Sequence, residues 1–270
     1  MRRADPWFVR LIFGFTGPRK KILGVVFAGE VVAAGDYVHA YQVGDRVYGM
    51  SDNFMGCHAE YVLVTDHTPM GLIPDTMTFN DAAALPFGGT TALHFLKGLD
   101  LQDKKVFING VSGSVGLCFL QIAKARGATV VGVTSTRNVN LIKEFGAGSV
   151  IDYTKTDIFT LDEEFDVVID CVNKIPVPTI ERLVKKDGHI ILLSGLIKEM
   201  IQSRSLKKAK VIIGTAKVVS DQMTEISRMY TSGSLRPVIQ KVFPLSDIQD
   251  AYKLVDNGQK VGNIVLSIGQ

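Results

Sequence analysis

Three glycines, Gly110, Gly113 and Gly116, punctuate the stretch Val106–Gly127, which reads VFINGVSGSVGLCFLQIAKARG. Residues without side chains at this spacing let a turn present backbone N–H groups to an anion, and phosphate is the anion such turns hold. The turn needs a strand before it and a helix after it. Val106-Phe107-Ile108 is a short apolar run that suits a buried strand. Leu117, Leu120 and Ala123 then recur at three-residue spacing, Phe119 and Ile122 widen that face, and Gly127 suits a C-cap. In this context Gly-x-x-Gly-x-x-Gly reads as a variant of the dinucleotide fingerprint, the alternative being glycines that serve only a tight turn. No Lys-Ser/Thr pair follows the last glycine, which excludes a P-loop.

The next strand, Val130–Val133, selects the nucleotide. Sites for NAD carry an acidic residue about 20 residues beyond the first glycines, on the ribose 2′-hydroxyl. This strand instead runs into Thr134-Ser135-Thr136-Arg137-Asn138. No carboxylate is there to repel a 2′-phosphate, while hydroxyls and a guanidinium are there to receive it. The pattern predicts NADPH. Ser135 has a second role open to it, as cap of the following helix, and Arg137 has one as a solvated side chain.

The elements around this site change rhythm twice. From Ile22 the chain reads as short strands and turns, LGVVFAGEVVAAG, YQVGDRVYGM and HAEYVLV, with Gly44-Asp45 as a turn. That spacing suits a small barrel or sandwich. Phe79–Leu99 is helical in pattern, although its middle, Gly88-Gly89-Thr90-Thr91, is rich in glycine and threonine. From Lys105 strands and helices alternate: strands at 106–108, 129–133, 150–152, 167–171, 189–193 and 211–213, with helices at 115–126, 138–145, 179–185 and 221–232. Alternation of this kind predicts a parallel, doubly wound sheet. Strands return at 238–243 and 263–267, and Ser246 with Gln249 reads as a capping box for a helix ending at Asn257-Gly258. Barrel-like segments therefore bracket a nucleotide-binding core.

Composition narrows the class. The chain has 270 residues, 46% hydrophobic and 21% charged, with a net charge of +3. The basic clusters Arg19-Lys20-Lys21 and Lys207-Lys208 with Lys210 are short and scattered, which argues against a nucleic-acid surface. Cys57, Cys118 and Cys171 form no CxxC pair, so neither a structural zinc site nor a redox pair is predicted. An odd cysteine count without a secretory pattern points to a reducing compartment, the cytoplasm. The apolar stretch Trp7–Phe15 is broken by Arg10 and Gly14, and no run reaches the roughly 18 residues that span a bilayer.

Taken together, GEVVAAG, VGDRVYG, HAEYVLV, LPFGGTTALHFL, NGVSGSVG, TSTRNV, FGAGSVIDY, FDVVIDCV and LRPVIQKVFPL resemble the medium-chain dehydrogenase/reductase superfamily, in its zinc-independent quinone oxidoreductase group. The resemblance runs nearly end to end. It implies an α/β fold, with a Rossmann doubly wound parallel sheet inserted in a GroES-like β-rich catalytic domain. The divisions implied are 1–88 for the GroES-like part, 89–233 for the NADP-binding part and 234–270 for the return to the catalytic domain. It implies that Ser112, Gly113, Ser114 and Val115 line the pyrophosphate, within a segment that also brings Asn109, Gly110 and Gly116 to the cofactor. It implies that Ser135, Arg137 and Tyr153 hold the 2′-phosphate, and that Thr91 and Gly195 lie near the nicotinamide. Tyr153 is equally consistent with a partly buried aromatic after a strand.

Three departures qualify the match. Zinc-dependent relatives carry a histidine where Val25 and Val26 follow Gly24, and a cysteine lobe where Gly49-Met50 leads toward Ala59-Glu60-Tyr61; neither metal site is expected here. Zinc-independent relatives often have Asp at the position of Val26. The last strand begins Gly262-Asn263 where relatives have Gly-Lys, removing one phosphate contact. The resemblance also implies that roughly 50 residues of the catalytic domain would precede Met1, leaving that domain incomplete at its N-terminus.

The activity implied is hydride transfer from NADPH to a small-molecule acceptor, a quinone or an enone or enal, with a homodimer as the implied assembly. For the proton donor the candidates are His58, His94 and Lys217, against ordinary roles as a partly exposed histidine, a core-packed histidine and a solvated lysine; water is the fourth. Two other readings stay open: a zinc-free NADP-dependent alcohol dehydrogenase, and a non-catalytic NADPH-binding protein.

Overall fold

The computed structural model describes residues 21–51, 55–65, 67–193 and 208–269. The expectations for Trp7–Phe15 and for Gly195 lie outside the described residues.

Six parallel strands form the central sheet. In chain order they are β4 (Lys105–Asn109), β5 (Thr129–Thr134), β6 (Ser149–Asp152), β7 (Phe165–Asp170), β8 (Val184–Leu192) and β9 (Lys210–Ile213). In space the order is β6-β5-β4-β7-β8-β9, so the chain winds outward from β4 one way and then from β7 the other. That reversal is the topological switch point of a doubly wound sheet, where ligands bind. The strands read as continuous apolar runs because both faces are covered. Val106 and Ile108 enter one core while Phe107, between them, enters the other. All three are fully buried, so replacing Phe107 with alanine would cost about 3–5 kcal/mol.

Two smaller sheets flank this core. Strands β1 (Val26–Glu30), β2 (Arg46–Met50) and β3 (Met70–Leu72) form an antiparallel sheet in that order. Strands β10 (Ile239–Pro244) and β11 (Asn263–Ser267) pair in parallel. The segment HAEYVLV, expected as a strand, forms none: it finds no ladder partner among the described residues, and Tyr61 and Leu63 stand exposed.

The helical pattern Phe79–Leu99 resolves into α1 (Phe79–Ala84) and α2 (Pro86–Phe95). Pro86 has no N–H to continue α1, yet suits the first turn of α2. The glycines that follow permit close approach. A Cβ on Gly88 would lie 2.7 Å from the Ser114 carbonyl oxygen and 2.8 Å from Cys118 Sγ, and one on Gly89 would lie 2.7 Å from Ile226 Cδ1. Thr90 and Thr91 turn their hydroxyls back to the carbonyls of Pro86 and Phe87, at 2.7 and 2.6 Å.

The remaining helices are α3 (Ser114–Ala125), α4 (Val139–Glu144), α5 (Val177–Leu183), α6 (Ser220–Thr231) and α7 (Ile248–Asp256). Helix α3 buries more than its predicted face: Cys118 and Gln121 are also inside, because α2 covers the side away from the sheet. The expected capping box at α7 is absent. The helix starts one residue later than the box requires: Asp247 takes the cap position, and the Ser246 hydroxyl donates to the Asp247 carboxylate at 2.9 Å. Asn257 does end α7, followed by Gly258 at φ +66. The last helix before β8 ends at Leu183, two residues short of its expected end, where Val184 turns extended.

Candidate functional site

The glycine turn joins β4 to α3 at the switch point. Gly110 has φ +77, and a Cβ there would meet Val172 Cγ1 at 2.7 Å. Gly116 packs α3 against its own turn so closely that a Cβ would lie 2.4 Å from the Gly110 carbonyl oxygen. Gly113 occupies the cap position of α3 and supplies no side-chain cap. A helix leaves its first N–H groups without intrahelical acceptors, so those of Ser114, Val115 and Gly116 point out of the helix end unclaimed. The Ser114 hydroxyl is buried with no hydrogen-bond partner among the described residues. Uncommitted donors at a helix N-terminus are what a phosphate satisfies, and a pyrophosphate therefore fits this turn.

A cavity of about 340 Å³ opens directly onto these groups. One wall is Gly110, Gly113, Ser114, Val115 and Gly116. Phe87 of α2 and Cys171-Val172 after β7 form others, and Val255, Lys260, Asn263 and Ile264 come from the C-terminal segment. That segment is stitched to the turn. The Gly262 N–H donates to the Ser112 carbonyl at 2.9 Å, and Gly113 and Gly262 form a parallel bridge. The C-terminal wall was the part least visible in the sequence. Its signal was Gly262, whose φ of +56 and backbone crowding leave no room for a side chain.

The floor beside the turn is held by Asp170. This buried carboxylate accepts from Asn109 Nδ2 at 2.9 Å and from the N–H groups of Val172, Asn173, Lys174 and Ile175 at 2.9–3.0 Å. Asn109 is thus buried as a partner of Asp170, outside the cavity lining. The Cys171 thiol is pushed far up by burial and by the Asp170 charge beside it, and burial pushes Cys118 up to about 12. Both stay protonated thiols, poor nucleophiles at neutral pH.

Ser112 sits at the edge of the turn, where its hydroxyl accepts from Thr134 Oγ1 at 2.9 Å and from Asn138 Nδ2 at 3.1 Å. These bonds tie the turn to the end of β5. Ser135 is half-buried there, and its hydroxyl lies 3.4 Å from Asn138 Nδ2; it makes no helix-capping bond. Arg137 is exposed and donates to Gln259 through both the side chain and the backbone carbonyl. Tyr153 is 57% exposed, held by its N–H to the Thr134 carbonyl at 3.1 Å. Nearby Asp152 is occupied by Thr136, Thr154 and Lys155; the Thr136 hydroxyl leads in holding its pKa below the usual carboxylate range. Thr91 bonds its own helix and lies outside the cavity lining.

None of the three proton-donor candidates lines this cavity. His58 is half-buried 3.5 Å from the Tyr252 hydroxyl, and burial lowers its pKa below 6.5. It belongs to a second, larger cavity of about 690 Å³, between β1, residues 57–64, α1, α7 and β11. The two cavities share Val255 and Ile264, and the larger contains none of the glycine turn. The smaller one holds the uncommitted donors. His94 packs edge-on against Phe95, with ring centroids 5.1 Å apart, and Lys217 is exposed. Among the described residues no three His, Cys, Asp or Glu side chains converge as a metal site, and no helix is long and apolar enough to cross a membrane.

Comparison with known proteins places these features. Residues 6–75 match the alcohol dehydrogenase GroES-like domain family, and residues 145–266 match the family described as zinc-binding dehydrogenase. A mitochondrial NAD(P)H oxidoreductase of Dictyostelium discoideum is 29% identical, covering 91% of this chain and 81% of that protein. A 2-methylene-furan-3-one reductase of Solanum lycopersicum is 30% identical, covering 92% of this chain and 64% of that protein. Among solved structures, the quinone oxidoreductase of Coxiella burnetii superposes with a TM-score of 0.81 at 27% identity, over 92% of this chain and 79% of that one.

Proposed function

The chain belongs to the medium-chain dehydrogenase/reductase superfamily, in its quinone oxidoreductase-like group, and on that footing we propose that it carries hydride from NADPH to a quinone or an α,β-unsaturated carbonyl, without a metal. The observation that carries the reading is the buried, unpartnered Ser114 hydroxyl at an uncapped helix N-terminus whose first residues line one cavity with the glycine turn. The neighbouring names support the acceptor class: one relative reduces 2-methylene-furan-3-one, and one structural neighbour is a quinone oxidoreductase.

When bound, the dinucleotide supplies the hydride, and the protein's work is binding, orientation and exclusion of water. Ser114 and the first N–H groups of α3 would take the pyrophosphate. Ser135, Arg137 and Tyr153 would take the 2′-phosphate, in a region where the one nearby carboxylate, Asp152, is already bonded to Thr136 and Thr154. Phe87, Val172 and Ile264 give the cavity apolar walls, which strengthen electrostatic contacts inside it. Among the described residues the cavity lining holds no histidine or carboxylate, and water is the proposed proton source for the reduced acceptor.

The test is NADPH oxidation against a panel of quinones, enones and enals. Turnover with members of the panel, and none with simple ketones, supports the reading. Tight NADPH binding without turnover across the panel would favour the non-catalytic alternative.

A further inference from the structure

Lys260 is a cation without a counter-ion. Its side chain lines the cofactor cavity with Gly113, Ser114 and Asn263, and its ammonium donates to the backbone carbonyl of Gly262 at 2.6 Å. Among the described residues no carboxylate forms an ion pair with it. Burial alone lowers its pKa below the ordinary lysine value. Lys260 is half-buried, and drawing an ammonium even partly out of water without an anion is unfavourable. The position is nonetheless enforced: Gly262 is bonded to Ser112 and bridged to Gly113, and a Cβ on it would lie 2.2 Å from the Val238 carbonyl oxygen. The backbone therefore presses this lysine against the glycine turn.

The groups that share the cavity with it offer no negative charge. The Ser114 hydroxyl has no partner, and the start of α3 offers its free N–H groups and the positive end of its dipole. A cation, a hydroxyl and a helix N-terminus converge on one cavity with no negative group among its lining residues. Each is costly without a ligand, and one dianionic group relieves all three.

Resting on the reading of this cavity as a dinucleotide site, we infer that Lys260 is the cation that neutralises the pyrophosphate of the bound dinucleotide. Asn263 occupies the next lining position and has no charge to offer, so the ammonium arrives from the residue before Val261. Lys260 thereby sets affinity for the part common to NADH and NADPH, while Arg137 acts on the part that differs.

Calorimetric titration of the full chain with ADP, 2′-AMP, NADH and NADPH tests this in wild type, Lys260→Met and Lys260→Arg. Lys260→Met is expected to weaken ADP, NADH and NADPH alike, by about ten- to a hundred-fold, the worth of a charged hydrogen bond. Binding of 2′-AMP, which has no pyrophosphate, is expected to stay unchanged, and Lys260→Arg to keep most of the affinity. Without ligand, Lys260→Met should melt no lower than wild type, because it removes an unpaired, half-buried charge; a merely structural lysine would lower it. In wild-type protein, ADP should protect Lys260 from acetylation by limiting acetic anhydride, read by mass spectrometry. Unchanged ADP affinity, a loss confined to 2′-phosphate ligands, or no protection by ADP would each overturn the assignment. If wild type bound none of the four ligands, the dinucleotide reading itself would fall.

Discussion

Arg137, just past β5, donates to Gln259, just past α7, through both the side-chain oxygen at 3.2 Å and the backbone carbonyl, across 122 residues of sequence. The guanidinium proposed for the 2′-phosphate therefore also fastens the C-terminal segment that walls the cavity. On the proposed reading, a 2′-phosphate would compete with Gln259 for the same donors, and a charged acceptor binds them more strongly than a neutral amide.

Arg137→Ala is expected to weaken NADPH binding by about 1.5–3 kcal/mol, the worth of a charged hydrogen bond, and NADH binding much less. Fluorescence titration with both cofactors reads the difference. Equal losses for the two would mean that Arg137 acts only by fastening Gln259, and its assignment to the 2′-phosphate would be wrong.

Asp170 supports the opposite wall. Replacing it with alanine strips an acceptor from Asn109 and from four backbone N–H groups at once. Each buried donor left unpaired costs about 1–3 kcal/mol, though water entering the gap would recover part of the total. A loss of stability of about 3 kcal/mol or more is expected in urea unfolding. Cofactor affinity should fall with it, since Cys171 and Val172 line the cavity. A variant that unfolded like wild type would show that this turn holds itself without the carboxylate.

If the reaction needs no metal, prolonged dialysis against EDTA should leave both NADPH oxidation and the melting temperature unchanged, and added zinc should not raise the rate. Loss of activity restored by zinc would overturn the metal-free reading.

Much of this architecture was readable before any coordinates, for physical reasons. The central strands announce themselves because burial on both faces demands unbroken apolar runs, as Val106-Phe107-Ile108 shows. The glycine turn was legible because Gly110 and Gly116 are positions where a side chain meets atoms at 2.7 and 2.4 Å. The break at Pro86 was missed because apolar periodicity continues across it, although the proline was in plain view. The capping box at Ser246 failed because the chain makes a tight turn over Leu245–Asp247 first, which moves the cap position of α7 to Asp247. Lys260 stayed hidden because nothing local distinguishes a lysine that faces solvent from one pressed onto a turn nearly 150 residues earlier; only the Gly113–Gly262 bridge puts it there.

His58 offers a prediction in pH. It sits in space that Gly24 opens, since a Cβ on Gly24 would lie 2.3 Å from His58 Cδ2, with the Tyr252 hydroxyl 3.5 Å from its Nδ1. Burial lowers its pKa in the folded protein below the ordinary 6.5, so the unfolded chain takes up a proton first as pH falls. The neutral ring's contribution to stability is thus fully present above pH 6.5 and drains away as pH drops from there toward the folded-state pKa. His189 shifts the same way, through burial and then the charge of Lys210, and acts in the same window. The lowered carboxylates Asp166 and Glu225 act below their ordinary 3.8 and 4.5, outside it. Melting temperature should therefore decline between about pH 6.5 and 5, with a shallower slope in His58→Gln and the remainder removed by adding His189→Gln. An unchanged slope in His58→Gln would show that this histidine protonates as readily in the fold as out of it.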